Sequence, residues 1–363
     1  MSATRPRQPA AGGGRARLEA RLTEAWLTRG PLACALWPLS WLYRLLVGAR
    51  RAAYRAGLLR GERLPRPVLV VGNRIAGGAG KTPTVLALLA HLRAAGWRPG
   101  VVSRGHGGRA GGGVREVRTD TPAAEAGDEP LLLRLRGGVP VVVGADRVAA
   151  GWALLAAHPE VDLLVADDGL QHLRLARDVE VVVFDARGAG NGWLLPAGPL
   201  REPAEVASTA AATLLLYNAP APSTPLPGPC ARAALAGAVE LGAWWRGAAA
   251  TPAALDALRG RPVVACAGVA QPQRFFDQLV AAGLTIDRLA LADHARYDAL
   301  PWPSGAADVI VTEKDAVKLD PARVAHERPG SRVWVAPLDF SPGPAFLAAL
   351  DAALAPYARR LEG

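Results

Sequence analysis

The sequence predicts a two-lobed α/β protein. A doubly wound, mostly parallel sheet carries a phosphate-binding loop, a second and smaller α/β lobe follows, and an interfacial helix precedes both. Three observations predict this. Val- and Leu-rich runs without polar alternation, the mark of buried parallel strands, alternate with helix-like stretches. One such run, Val68–Val71, leads into Gly77-Gly78-Ala79-Gly80-Lys81-Thr82. Lysine is nearly absent: of 42 basic residues only Lys81, Lys314 and Lys318 are lysines, and the first of them closes the glycine loop.

Residues 1–17 are Gly-, Pro- and Arg-rich, a composition that predicts a disordered tail. Residues 18–60 form an amphipathic segment. Its uncharged stretch, Gly30 to Tyr43, is shorter than the about 17–25 residues a bilayer span needs, and Pro38 interrupts it. Leu32, Leu36, Leu39, Tyr43, Leu46 and Val47 fall at helical spacing, beside Trp26, Trp37 and Trp41 and the cations Arg44, Arg50, Arg51 and Arg55. Two readings fit: a helix lying in a membrane interface, or a helix packed on the core.

Residues 61–215 form the nucleotide-binding domain. Strands are expected at Val68–Val71, Pro99–Ser103, Val139–Val143, Asp162–Ala166 and Glu180–Asp185. Helices are expected at Lys81–Ala95, Glu129–Arg136, Arg147–Ala157 and near Glu202. A Pro-rich linker, 216–229, leads to a smaller α/β domain, 230–363. Its strands are expected at Pro262–Ala267, Thr285–Ala290, Val309–Thr312 and Ser331–Val335, and its helices at Gln273–Ala282 and Pro344–Leu354.

The net charge of +10 favours anionic partners. Cys34, Cys230 and Cys266 form no CxxC pair, which argues against a disulfide scaffold or a zinc module. No nucleic-acid motif and no obligate protein partner is evident.

The phosphate loop spans Ile75, Ala76, Gly77, Gly78, Ala79, Gly80, Lys81 and Thr82. Strand, glycine loop and helix follow in the order of a P-loop NTPase-like fold, so backbone N–H groups and the helix start can cradle phosphate. Lys81 supplies a compact, mobile cation for the β- and γ-phosphates, which a planar guanidinium replaces poorly. Ile75 stands where the motif has its first glycine. Thr82 can ligate Mg²⁺, and the strand ending in Asp167-Asp168 puts hard anions where that ion would sit. Gln171 and His172 follow on the same turn; His172 reads equally as facing the ligands or as lying behind them. Asp128 and Glu129 before a helix read as a cap or as a base for an acceptor hydroxyl. Asp293-His294 is a second pair of that kind. Ser103-Arg104-Gly105 follows another strand and can approach phosphate or sugar.

Together these strings resemble the tetraacyldisaccharide 4′-kinase (lipid A 4′-kinase) family. The strings are Val71-Gly72-Asn73 through Thr82-Pro83, Ser103-Arg104-Gly105-His106-Gly107, Gly127-Asp128-Glu129-Pro130 and Asp167-Asp168-Gly169-Leu170-Gln171-His172. They continue with Phe184-Asp185-Ala186-Arg187, Asn191-Gly192, Leu195-Pro196-Ala197-Gly198-Pro199-Leu200-Arg201-Glu202-Pro203, Asp293-His294 and Val311-Thr312-Glu313-Lys314-Asp315-Ala316-Val317-Lys318. The resemblance implies transfer of the ATP γ-phosphate to the 4′-hydroxyl of an acylated glucosamine disaccharide 1-phosphate lipid, giving lipid IVA in lipid A biosynthesis. It implies Asp128 and His294 as the catalytic pair, ATP and Mg²⁺ as cofactors, and Thr82, Asp167 and Asp168 as metal residues. Arg104, Glu129, Gln171, His172, Arg201 and Glu202 would line the site. It also implies an enzyme peripheral or monotopic on the cytoplasmic face of the inner membrane, against an anionic surface. Ile75, His106 and Leu291-Ala292 depart from the family's usual residues. Two rivals remain from the residues alone. One is a GTPase-like switch or metallochaperone, favoured by Asp185-Ala186-Arg187-Gly188 but lacking N-K-x-D. The other is a soluble kinase of a small metabolite.

Overall fold

The structure is a computed structural model and describes residues 21–358, apart from 106–107, 109–112, 206–207 and 209. The tail 1–17 and His106-Gly107 lie outside the described residues.

The first lobe is a seven-stranded sheet of order β3-β4-β2-β5-β1-β6-β7. Its strands are β1 (Val68–Gly72), β2 (Pro99–Ser103), β3 (Arg115–Glu116), β4 (Val141–Val143), β5 (Leu163–Asp167), β6 (Val179–Asp185) and β7 (Ala212–Asn218). All neighbours are parallel except the short edge strand β3. Every residue of β1, β2, β4, β5 and β6 is buried, as unalternating Val/Leu runs require when both faces are covered. The helices α2 (Lys81–Ala94), α3 (Asp128–Gly137) and α4 (Arg147–Ala157) supply that cover. Asp146 caps α4, its carboxylate accepting from the backbone N–H of Val148 and Ala149.

β1 lies between β5 and β6, so the chain must leave β1 and return on either side of it. The carboxyl ends beside such a reversal open a crevice, and there the sequence places its glycine loop.

The second lobe is a five-stranded sheet of order β11-β10-β12-β13-β9, parallel except for β9. Its strands are β9 (Val239–Glu240), β10 (Pro262–Ala267), β11 (Thr285–Ala290), β12 (Asp308–Val311) and β13 (Arg332–Val335), with helix α5 (Pro272–Ala281). A two-stranded ribbon, β8 (Arg232–Leu235) with β14 (Leu338–Ser341), adjoins it. Helix α6 (Pro344–Ala358) returns to pack on β7, so one apolar cluster holds Val181 and Leu216 together with Leu350 and Leu354.

Several expectations are corrected. No helix forms near Glu202; Arg201 and Glu202 lie in a bend that runs beside the phosphate loop, and Pro196, Pro199 and Pro203 deny the segment helical N–H groups. β7 runs past residue 215 to Asn218 as the sheet's last strand. The N-terminal helix α1 (Pro31–Arg55) is longer than its uncharged stretch and continues through Pro38. With mean hydropathy 1.4 over its best window, it is long and apolar enough to cross a membrane by length and composition.

The apolar residues of α1 divide between two faces. Ala33, Leu36, Ser40, Tyr43 and Val47 turn toward the protein, whereas Leu32, Leu39 and Leu46 are exposed with Trp37, Trp41, Leu42 and Leu45. Small and polar residues make the attachment. Ser40 Oγ donates to Leu194 O at 2.8 Å and accepts from Ala197 N at 3.0 Å, and Tyr43 donates to Arg201 O at 2.9 Å.

Candidate active site

The phosphate loop is shaped by two left-handed glycines and by its neighbours. Gly77 and Gly80 have φ of 87° and 85°. A Cβ on Gly80 would stand 2.0 Å from Asn218 Nδ2, so conformation and space both demand glycine there. Ile75 does not enter the loop's cradle. It is buried with Ala79, Leu194 and Leu200 and bridges Leu200, while Ala76 N donates to Pro199 O at 2.7 Å. The Leu-Pro-Ala-Gly-Pro-Leu string thus braces the loop from outside, which is why a large apolar residue fits at 75.

Lys81 Nζ lies 3.4 Å from Asn73 Oδ1 and 3.7 Å from Asp168 Oδ1. Asp168, at φ 51°, also meets Arg201 at 3.3 Å. Burial works to raise its pKa, but Lys81, Arg201 and Arg147 outweigh burial and hold it below the ordinary carboxylate value. Asp167 is the opposite case. Burial first, then Glu129 and Asp168, push it up to about 7. Its Oδ2 accepts from Ser103 Oγ at 3.1 Å, and its Oδ1 is buried without a hydrogen-bond partner. Among the described residues no group of three or more His, Cys, Asp or Glu is arranged to hold a metal. An orphaned buried carboxylate oxygen at the strand tip, with Thr82 on the cavity wall, suits an ion such as Mg²⁺ that keeps its waters and takes its other ligands from phosphate.

Gln171, Arg201 and Glu202 come together. Gln171 Nε2 donates to Asn73 O at 3.2 Å and to Glu202 Oε1 at 3.3 Å, and Arg201 donates to Gln171 Oε1 at 3.4 Å. Arg51 of α1 pairs with Glu202 at 2.7 Å. His172 is not part of this group. It sits near Asp146 at 3.8 Å and outside the cavity lining, and burial, with Arg147, pushes its pKa down to about 4. Arg104 is exposed just beyond β2, near enough to Arg147 to repel it.

The second lobe brings its own carboxyl edge to the loop. Gln271 Nε2 donates to Asp185 Oδ2 at 2.8 Å, and Arg274 donates to Asn218 Oδ1 at 2.9 Å. Arg187, paired with Asp185 at 2.8 Å, donates to Gly78 O at 2.8 Å. Between the lobes lies a cavity of about 380 Å³, walled by Gly78–Pro83 on one side and by Glu129, Lys314, Gln271 and Phe275 on others.

Asp128 starts α3 of the first lobe, and His294 lies in the loop after β11 of the second. His294 Nδ1 is 3.0 and 3.1 Å from the two carboxylate oxygens of Asp128. His294 holds a left-handed φ of 59°, which turns its ring across the lobe boundary. Burial works to raise the Asp128 pKa, but the His294 hydrogen bond, Lys314 and Lys318 prevail and lower it. The bond to Asp128 raises the His294 pKa against burial and Lys314. Lys318 Nζ stands 3.9 Å from Asp128 and 3.0 Å from Asp315, beneath the ring of Tyr297. Sequence reasoning missed Asn218, Gln271 and Arg274, and gave Asn73 and Ser103 no role beyond their place in quoted strings. Gln271 and Arg274 carry no recognisable spacing; the scarcity of lysine and the string Val311–Lys318 pointed to Lys314 and Lys318.

The sequence model of the family described as tetraacyldisaccharide-1-P 4′-kinase matches residues 32–355. A relative named tetraacyldisaccharide 4′-kinase, from Methylibium petroleiphilum, is 66% identical over 363 residues, all of both chains. One of the same name from Leptothrix cholodnii is 61% identical over 93% of this chain and 97% of that protein. LpxK from Aquifex aeolicus, whose crystal structure is of a complex with ATP, superposes with a TM-score of 0.73 at 27% identity, covering 90% of this chain and 99% of that one. With a family match over residues 32–355 and relatives 66% and 61% identical over nearly the whole chain, this chain belongs to the tetraacyldisaccharide-1-P 4′-kinase family.

Proposed function

We propose that this chain transfers the γ-phosphoryl group of ATP to the 4′-hydroxyl of a tetraacyldisaccharide 1-phosphate lipid. Membership of the family makes it an ATP-dependent phosphotransferase with an alcohol acceptor. The observation that carries the residue assignment is the cleft itself. A phosphate loop forms one wall, and beside the facing residues Glu129 and Lys314 lies a carboxylate–imidazole pair contributed by both lobes.

In this reading Lys81 and the loop N–H groups hold the β- and γ-phosphates and stabilise charge on the group in transit. Thr82, Asp167 and Asp168 would hold Mg²⁺, which neutralises phosphate charge when bound. Asp128, oriented by His294, receives the proton of the acceptor hydroxyl. Gln271 and Arg274 bring the second lobe onto the loop, which excludes water from the reacting phosphate. The exposed Trp and Leu face of α1, with Arg44 stacked on Trp41, suits the interface of an anionic membrane, the cytoplasmic face of the inner membrane for this acceptor.

The test is transfer of labelled phosphate from ATP to the disaccharide 1-phosphate in mixed micelles, with Lys81→Ala and Asp128→Asn alongside. Labelled lipid from wild type and neither variant is expected. An Asp128→Asn protein with full activity would sink the base assignment, and ATP hydrolysis without labelled lipid would sink the acceptor.

A further inference from the structure

Lys314 rests on a short helical turn, Glu313–Ala316, opened by Thr312, whose side chain accepts from Asp315 N. Its Nζ lies 3.0 Å from Glu129 Oε1 of the first lobe and 3.3 Å from Asp293 Oδ1 of the second. It also lies 3.4 Å from His294 Nε2, the ring nitrogen that faces away from Asp128. A lysine ammonium has three donors and no acceptor. Burial disfavours its charge, but Glu129, Asp128 and Asp293 more than offset burial, so it stays an ammonium. A donor held at Nε2 requires that nitrogen to accept. The neutral imidazole must then carry its proton on Nδ1, which faces the Asp128 oxygens at 3.0 and 3.1 Å.

We propose that Lys314 is a positioning residue for this reaction: its ammonium fixes the Nδ1–H tautomer of His294, aimed at Asp128, and by gripping Glu129 makes that arrangement depend on the lobes being together. The inference rests on the Asp128–His294 reading above and adds to it the group that sets the ring's proton. It also gives the third surviving lysine a matching place. Lys318 lies 3.9 Å from Asp128 Oδ2 and Lys314 3.4 Å from His294 Nε2, so both lysines outside the phosphate loop stand beside one pair. Arginine would not fill the place of Lys314: its planar fork cannot reach two oxygens and a ring nitrogen at once from a single point.

Among the described residues, charged groups that face His294 are Asp128 from α3, Lys314 from its helical turn and Asp293 from its own loop, whose Oδ2 is 3.9 Å from Nε2. Of these Lys314 alone opposes an imidazolium. Removing it therefore lets the ring protonate at higher pH.

The experiment is ¹⁵N–¹H correlation of histidine-labelled full-length enzyme, with His294 assigned from the His294→Gln spectrum, joined to kinetics of Lys314→Met and Lys314→Gln. Wild-type His294 is expected as the Nδ1–H tautomer. In Lys314→Met the ring is expected to become imidazolium or Nε2–H. Its kcat should fall about tenfold to a hundredfold, the scale of a misplaced catalytic group, with the KM for ATP within about threefold. The acidic limb of its kcat profile should move to higher pH. Lys314→Gln keeps a donor without the charge and is expected to retain the tautomer and more of the rate. Wild-type His294 found as Nε2–H overturns the proposal whether or not any variant folds. A Lys314→Met protein that loses only ATP affinity also overturns it, because that would make Lys314 a phosphate contact. The tautomer is read without turnover, so failure of the Asp128 base assignment, seen in Asp128→Asn kinetics, stays distinguishable.

Discussion

The phosphate loop walls the cleft and the Asp128–His294 pair lies beside its lining residues Glu129 and Lys314, yet the two are built in opposite ways. The loop is a single contiguous segment whose shape is set by two left-handed glycines and by bracing from 194–200. The pair joins residues 166 apart in sequence and exists only where two lobes meet. A local device is written in spacing and can fail at one glycine. An assembled device depends on every contact that holds the lobes together. The two should therefore respond differently to substitution.

The largest effects are expected in the loop. Gly80→Ala imposes an alanine at φ 85° and puts its Cβ 2.0 Å from Asn218 Nδ2. ATP binding should be lost and kcat/KM should drop more than about a hundredfold, as for removal of a preorganised anion donor. Lys81→Ala should cost at least as much in kcat while leaving the fold intact. Calorimetric titration with ATP checks the first, and single-turnover transfer the second. A Gly80→Ala enzyme that binds ATP normally would break the claim that the loop's shape is local and brittle.

Next comes Asp128→Asn. Loss of the base should lower kcat by about 10²–10⁴ with ATP affinity unchanged, because no loop contact involves Asp128. A parallel fall in ATP affinity would mean that the two devices are one. The pair also makes a pH signature. The His294 pKa is raised on folding, so its share of stability is full below about 6.5 and is lost as pH rises through the folded value. The Asp128 pKa is lowered, so its share is present above about 3.9 and is lost as pH falls through the folded value. The melting-temperature difference between wild type and His294→Gln should thus peak in weakly acidic buffer and shrink on both sides.

The same contrast explains what could be read in advance. Strands β2 and β10 matched their expected residues, because Val-rich runs beside Gly and Pro report burial directly; β11 matched too, although it is a mostly exposed edge strand carrying Asp287 and Arg288. The loop with Lys81, and Asp167-Asp168 at a strand tip, were legible for the same reason: their chemistry needs neighbours in sequence. β8 and β14 were missed because each is a short strand that gains its partner about a hundred residues away. Arg274 and Gln271 read as an ordinary amphipathic helix start; only the docking of the lobes gives them Asn218 and Asp185. His172 shows the converse. Its place four residues after Asp168 left both sides open and the family resemblance implied the site, but the turn after β5 sends its ring toward Asp146 instead.

Arg274→Ala and Gln271→Ala should have intermediate effects. Each removes one tie between the second lobe and the loop's surroundings. The KM for ATP should rise several-fold, since part of the binding energy now closes the lobes, and the double variant should exceed either alone. Initial rates over a range of ATP at saturating lipid would measure this. An effect on kcat alone would assign these contacts to the chemistry of the pair instead of to closure.

The smallest effect belongs to Tyr43→Phe, and it sharpens where the two devices end. Tyr43 Oη donates to Arg201 O, the Arg201 side chain reaches Asp168 and Asp168 meets Lys81, so α1 stands three contacts from that lysine. Deleting the hydroxyl removes one neutral hydrogen bond, worth about 1 kcal/mol, and leaves the ring packed. Urea unfolding should show a loss of that size, with kcat and the KM for ATP within about twofold of wild type. The Arg201 carbonyl is held independently, because Arg201 N donates to Arg74 O at 2.7 Å and Glu202 pairs with Arg51. If Tyr43→Phe instead cost as much rate as Asp128→Asn, α1 would belong to the assembled device. Its attachment would then set the position of Asp168, and lipid contact on its outer face would reach Asp168 through two hydrogen bonds.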